Sequence, residues 1–140
     1  MGNIVSIQNL PKDDMSGLLK PVIFCCDKKM IPWNIVSLNL RLSQKLIKCR
    51  ENRRSIKMES FLLDVLSEIP DGSVISEFDV MFNPDYRIDL LKILISVRKK
   101  KSFTVLWPGK YEDGKLYYAE YGCSDYKIFN VDEYDVTCVV

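Results

Sequence analysis

Residues 73–109, SVISEFDVMFNPDYRIDLLKILISVRKKKSFTVLWPG, read in order as a strand, a turn, a helix, a basic cap and a second strand. From Val74 to Phe82 the chain opens with apolar residues and then partly alternates with polar ones, the pattern of a strand running out to its carboxyl end. Asn83-Pro84-Asp85 breaks that strand, because proline has no amide to give a sheet and asparagine and aspartate favour turns. Between Tyr86 and Val97 the residues Ile88, Leu90, Leu91, Ile93, Leu94, Ile95 and Val97 cover most of a helical surface, which predicts a largely buried helix. Arg98, Lys99, Lys100 and Lys101 follow at its carboxyl end, where positive charge complements the helix dipole. Ser102 to Trp107 is short, β-branched and aromatic, and Pro108-Gly109 ends it. Two apolar strands joined by a buried helix make a βαβ unit and imply a parallel sheet.

Upstream, Pro21 to Cys26 is wholly apolar and reads as a central strand, and Trp33 to Leu40 as a second one. Asn39 or Ser43 is placed to cap a helix carrying Leu42, Leu46 and Ile47. Met58, Phe61, Leu62, Val65, Leu66 and Ile69 recur at three- and four-residue steps, so residues 56–69 form the clearest amphipathic helix, with Ser55 as cap and Pro70-Asp71-Gly72 as stop. Downstream, residues 111–120 read as a hairpin turning at Asp113-Gly114, and residues 125–129 and 136–140 as edge strands. Residues 1–20 carry the weakest signal; Pro11 and Asp13-Asp14 are suited to start a helix reaching Lys20. No linker or repeat divides the chain, and the expectation is one α/β domain over residues 1–140: a three-layer parallel sheet with helices on both faces and a C-terminal β-hairpin.

The chain has 140 residues, 47% of them apolar, ample for a core. Twenty basic and nineteen acidic residues leave a net charge of +1, so no global field draws in nucleic acid or an anionic membrane. No apolar run is long enough to span a bilayer, and no basic region followed by an apolar core opens the chain, so the expected location is cytoplasmic. The five cysteines contain no CxxC pair and there is no histidine, which argues for reduced thiols, against a zinc site, and against Ser-His-Asp or Cys-His catalysis.

A nucleotide-binding α/β domain places a glycine-rich phosphate loop after its first strand, because amides approach phosphate closely only where side chains are absent. Here the first strand is followed by Asp27-Lys28-Lys29-Met30-Ile31-Pro32, and no glycine lies between Gly17 and Gly72. Seven residues separate Cys26 from Asn34, whereas a phosphate loop and its helix take roughly twenty.

LNLRLSQKLI at 38–47, VISEFDVMFNPDYRIDLLKIL at 74–94 and VLWPGKYEDGKLYYAEYGCSDYKIF at 105–129 together resemble the BrxF family, the small P-loop proteins of type-three bacteriophage exclusion (BREX) defence systems. The similarity spans about residues 34–130 in the same order. It implies an AAA-like, P-loop-NTPase-like α/β fold and a place among the proteins of a phage-defence operon. The second block falls on the family's Walker B strand, with Ser76 where the metal-directing aspartate belongs and Asp79 as the following acid. The third falls where the next strand ends and a tyrosine-rich hairpin begins. With no phosphate loop and a serine in the metal-directing place, the resemblance implies a truncated relative that has given up self-contained ATP hydrolysis.

Three groups of residues are functional candidates. Glu77 and Asp79, two apart on one strand, would share a face as a residual acidic pair, for a metal or for acid–base work, though the pattern is better read as a solvated strand end. Arg98, Lys99, Lys100 and Lys101, with Arg53 and Arg54 in a loop, are candidate phosphate contacts or arginines supplied to a neighbouring ATPase, though the run 98–101 is better read as a helix end neutralising its own carbonyls. Trp107, Tyr111, Tyr117, Tyr118 and Tyr126 are candidate protein-interface residues, and equally rings packed over the sheet edge. The expectation is a non-catalytic interaction subunit of an anti-phage defence complex, with no cofactor or metal, partnered by other proteins of its operon (an ATPase among the candidates) and open to self-association. The alternatives are a nucleic-acid-contacting accessory protein and a residual NTPase.

Overall fold

In the computed structural model, residues 2–5, 21–25, 34–86 and 88–140 are described. The expected helix over residues 11–20 lies outside them. The βαβ unit forms: β4 (Ser73–Ser76) pairs in parallel with β5 (Phe103–Leu106), and α3 (Leu90–Arg98) joins them. β1 (Asn3–Val5), β2 (Val22–Phe24), β3 (Ile35–Ser37) and β9 (Thr137–Val139) complete a six-stranded, all-parallel sheet in the order β1-β9-β2-β5-β4-β3. β6 (Lys110–Glu112), β7 (Lys115–Tyr118) and β8 (Lys127–Asn130) make a second, antiparallel sheet. Its first turn is the expected one, with Asp113 and Gly114 both at positive φ, as a two-residue hairpin turn requires.

Several boundaries differ from the sequence reading. The strand expected to reach Phe82 stops at Ser76, because Glu77 turns the backbone to φ 50° and Asp79–Phe82 winds into a 3-10 turn. The buried residues there are Phe78, Met81 and Phe82, a one-turn spacing rather than an alternation. The helix expected from Tyr86 starts four residues later, where Asp89 accepts the Lys92 amide as its cap. In α1 (Asn39–Ile47) neither Asn39 nor Ser43 caps, since the cap position is Leu38. α2 (Arg54–Ser67) begins before Ser55, which is therefore inside the helix. The segment at 136–140, expected at an edge, is interior: β9 lies between β1 and β2, with Val136, Cys138 and Val139 buried. Its neighbour at 125–129 is not part of the parallel sheet but closes the antiparallel one as β8.

The parallel strands are apolar on both faces, as a covered sheet demands. Ile23, Ile75, Val105 and Cys138 join the main cluster with Leu42 and Leu46 of α1, Met58, Leu62, Val65 and Leu66 of α2, and Leu90, Leu91, Leu94 and Val97 of α3. Val22, Phe24, Val74 and Val139 form a separate cluster on the opposite face with Ile35 and Leu106. Helices were to be expected on both faces; among the described residues all three pack on one. At the amino end of the sheet, Lys101 fastens the βαβ unit, donating to the Ile69 carbonyl at 2.9 Å and pairing with Asp71 at 2.6 Å.

Leu62, fully buried between helix and sheet, is expected to cost about 2–5 kcal/mol when cut to alanine. Leu40→Ala, on the open side of α1, should stay within about 0.5 kcal/mol. Urea denaturation of the two variants checks the assignment of faces.

Candidate functional site

In a parallel sheet the ends that can carry chemistry are the carboxyl ends, where loops of adjacent strands diverge. At the ends of β4 and β5, Ser76, Glu77, Asp79, Leu106, Trp107 and Pro108 line a cleft of about 270 Å³. The two carboxylates are not a same-face strand pair, because the backbone reverses at Glu77 and coils through Asp79. Glu77 is exposed, and its Oε2 accepts the Ser37 hydroxyl at 2.8 Å.

Asp79 serves three segments at once. Its Oδ2 accepts the Tyr118 hydroxyl at 2.9 Å and its Oδ1 the Asn39 amide at 3.4 Å, while Asn39 Oδ1 accepts the Val80 amide at 3.1 Å. Phe82, one turn further on, lies face to face with the Tyr118 ring at 3.6 Å and edge-on to Trp107 at 5.6 Å. Trp107 in turn donates to the Tyr117 carbonyl at 2.8 Å. The cleft wall is thus the seam between the two sheets, and Asp79 is bonded into it. Burial first, then the bond to Asp79, pushes the Tyr118 hydroxyl well above the ordinary tyrosine range. A matching bond joins Tyr134 to Asp89 Oδ2 at 2.8 Å, and there too burial and then the carboxylate raise the hydroxyl. Sequence reasoning missed both pairs, since about forty residues separate the partners.

Other candidates fall elsewhere. Arg98 is buried and Lys101 is engaged with Asp71 and Ile69, whereas Lys99 and Lys100 are exposed at the sheet's amino end, opposite the cleft. Arg53 is exposed in the turn Glu51–Arg53, and Arg54 donates to the Cys49 carbonyl at 3.2 Å. Trp107 and Tyr118 face inward, and the Tyr111 hydroxyl accepts the Gly114 amide. Tyr117 is half-buried, with Lys110 over its ring at 5.4 Å, and its cross-strand partners Lys110 and Ile128 make a row across the outer face of the small sheet. Tyr126 meets Tyr121 edge-on at 5.7 Å, and Tyr121 is 90% exposed.

Among the described residues no group of three His, Cys, Asp or Glu side chains is arranged to hold a metal, and no helix is long and apolar enough to cross a membrane. Comparison with protein-family models, curated proteins and solved structures yields no match to the chain.

The two tyrosine–carboxylate bonds carry a pH signature. Their hydroxyls hold the proton above the ordinary value of 10.0, so the folded chain binds more protons than the unfolded one once pH passes that value. The stabilisation is complete below pH 10 and declines as pH rises further. In urea melts from pH 8 to 11.5, Tyr118→Phe with Tyr134→Phe should be less stable at pH 8 and show a shallower alkaline decline than the unaltered chain.

Proposed function

We propose that this chain is a non-catalytic interaction subunit of a bacterial anti-phage defence complex, built on a P-loop-like sheet that has lost self-contained nucleotide binding. The observation that carries the reading is the carboxyl end of β4. Ser76 stands where the resemblance to the BrxF family calls for a metal-directing carboxylate, and the next acid, Asp79, is committed to Tyr118 and Asn39. Strand order supports the scaffold: counting β2, β3, β4, β5 and β9 as first to fifth, the sheet runs 5-1-4-3-2, the order of an AAA-like sheet. Between the first and second of these, residues 25–34 are ten in number and contain no glycine, too few for a phosphate loop followed by a helix.

With Asp79 bonded into the fold at the sheet end, the outer face of the small antiparallel sheet is the surface offered to partners. Tyr117 and Ile128 on that face, with Tyr121 and Tyr126 in the β7–β8 connection, provide aromatic and aliphatic area with polar tips, the composition that protein interfaces favour.

Titration calorimetry with Mg-ATP should show no binding by the purified chain, and binding alone would overturn the reading. The chain should co-purify with another protein of its operon. Tyr117→Ala combined with Tyr126→Ala should abolish that recovery while leaving the urea midpoint close to that of the unaltered chain; undiminished recovery would remove this face as the interface.

A further inference from the structure

The formal charge of +1 conceals a strong segregation. Residues 41–57 hold seven lysines and arginines against one acid, Glu51, a net +6, so the other 123 residues sum to −5. Arg41 and Lys45 on α1 and Lys48 at its C-cap follow at steps of four and three residues, within an arc of roughly 60° of the helix surface. With Gln44 and Glu68 they line a groove of about 230 Å³, and among the described residues none of the three forms an ion pair. Glu68 is the single acid in that groove. Leu42 and Leu46 fix α1 in the core, which leaves Lys48 exposed and Arg41 and Lys45 half-buried along its flank. Leu40 and Ile47, 71% and 75% exposed, run beside it with Gln44 between.

We infer that this face of α1 is a binding surface for single-stranded nucleic acid. The inference does not depend on the interaction-subunit reading, and the surface is separate from both the β4 cleft and the outer face of the small sheet. From Arg41 to Lys48 the helix rises about 10.5 Å, and along such a length a nucleic-acid strand carries a negative charge at every nucleotide. Three cations in a row therefore face a row of regularly recurring negative charges. The exposed Leu40 and Ile47 select the single strand: a duplex hides its base faces in the stack, while an unpaired strand exposes them for apolar contact. Arg50 and Arg53 extend the positive field past the helix end, and Arg54 is occupied in bracing the α1–α2 connection through the Cys49 carbonyl.

The test is fluorescence anisotropy with a labelled single strand of about 12 nucleotides, the matching duplex, and poly-glutamate as a competitor. Three phosphate contacts give a log–log salt slope of about −2, so single-strand affinity should fall about 20-fold between 50 and 200 mM salt. Arg41→Gln/Lys45→Gln/Lys48→Gln should weaken binding at least tenfold at 50 mM salt and flatten that slope, with its urea midpoint near that of the unaltered chain. Lys99→Gln/Lys100→Gln, exposed at the amino end of the sheet, should leave binding within twofold. Leu40→Ala/Ile47→Ala should weaken the single strand more than the duplex. Absence of binding, equal or tighter duplex binding, full competition by poly-glutamate at equal charge, or an equal loss in the Lys99/Lys100 variant would each overturn the inference.

Discussion

A single carboxylate ties this molecule together. Asp79 accepts from Tyr118 of the antiparallel sheet and from Asn39 at the start of α1, while standing in the turn that leaves β4. Hydrogen bonds to a charged acceptor contribute about 1.5–3 kcal/mol each when well formed, and the 2.9 Å bond from Tyr118 is the stronger of the two by geometry. The stacked Phe82–Tyr118 pair adds about 0.5–1.5 kcal/mol beyond the area it buries. Without that junction, the buried Tyr118 hydroxyl would have no acceptor and the small sheet would meet the large one through apolar rings alone.

The same junction decides what the sheet end can do. In a parallel α/β domain the carboxyl ends of the strands are where ligands bind, because loops diverge there and leave a crevice. Here the crevice is lined by Ser76, Leu106, Trp107 and Pro108 beside two acids, of which Asp79 is bonded to Tyr118 and Asn39 and Glu77 accepts the Ser37 hydroxyl. These satisfied hydrogen bonds hold that part of the crevice in one shape. Both amino-end and carboxyl-end fastenings, Lys101 to Asp71 and Tyr118 to Asp79, lock the βαβ unit in place.

Charge is the other organising feature. Near-neutral totals argue against nucleic acid only when the charges are evenly spread, and here residues 41–57 are strongly basic while the remainder is net acidic. The basic runs most visible by eye, at 98–101 and 50–54, are partly consumed by structure, since Arg98 is buried, Lys101 is paired and Arg54 is bonded to the backbone. The stripe that remains open was dispersed in sequence and is gathered by helical periodicity.

Local pattern alone determined the βαβ unit, the amphipathic α2 and the Asp113-Gly114 turn, because each rests on a periodicity or a turn preference contained within a dozen residues or so. It also shows that the β2–β3 connection is ten residues long and without glycine, fewer than a phosphate loop followed by a helix would take. Tertiary structure decided the rest. The chain end became an interior strand because pairing partners for β9 lie at residues 3–5 and 22–24, over a hundred residues away. Glu77 and Asp79 parted because buried Phe78, Met81 and Phe82 pull the backbone into a turn against the aromatic seam. Tyr118 and Tyr134 found carboxylates roughly forty residues upstream, a contact that no local pattern encodes, since only the folded sheet brings those atoms within bonding distance.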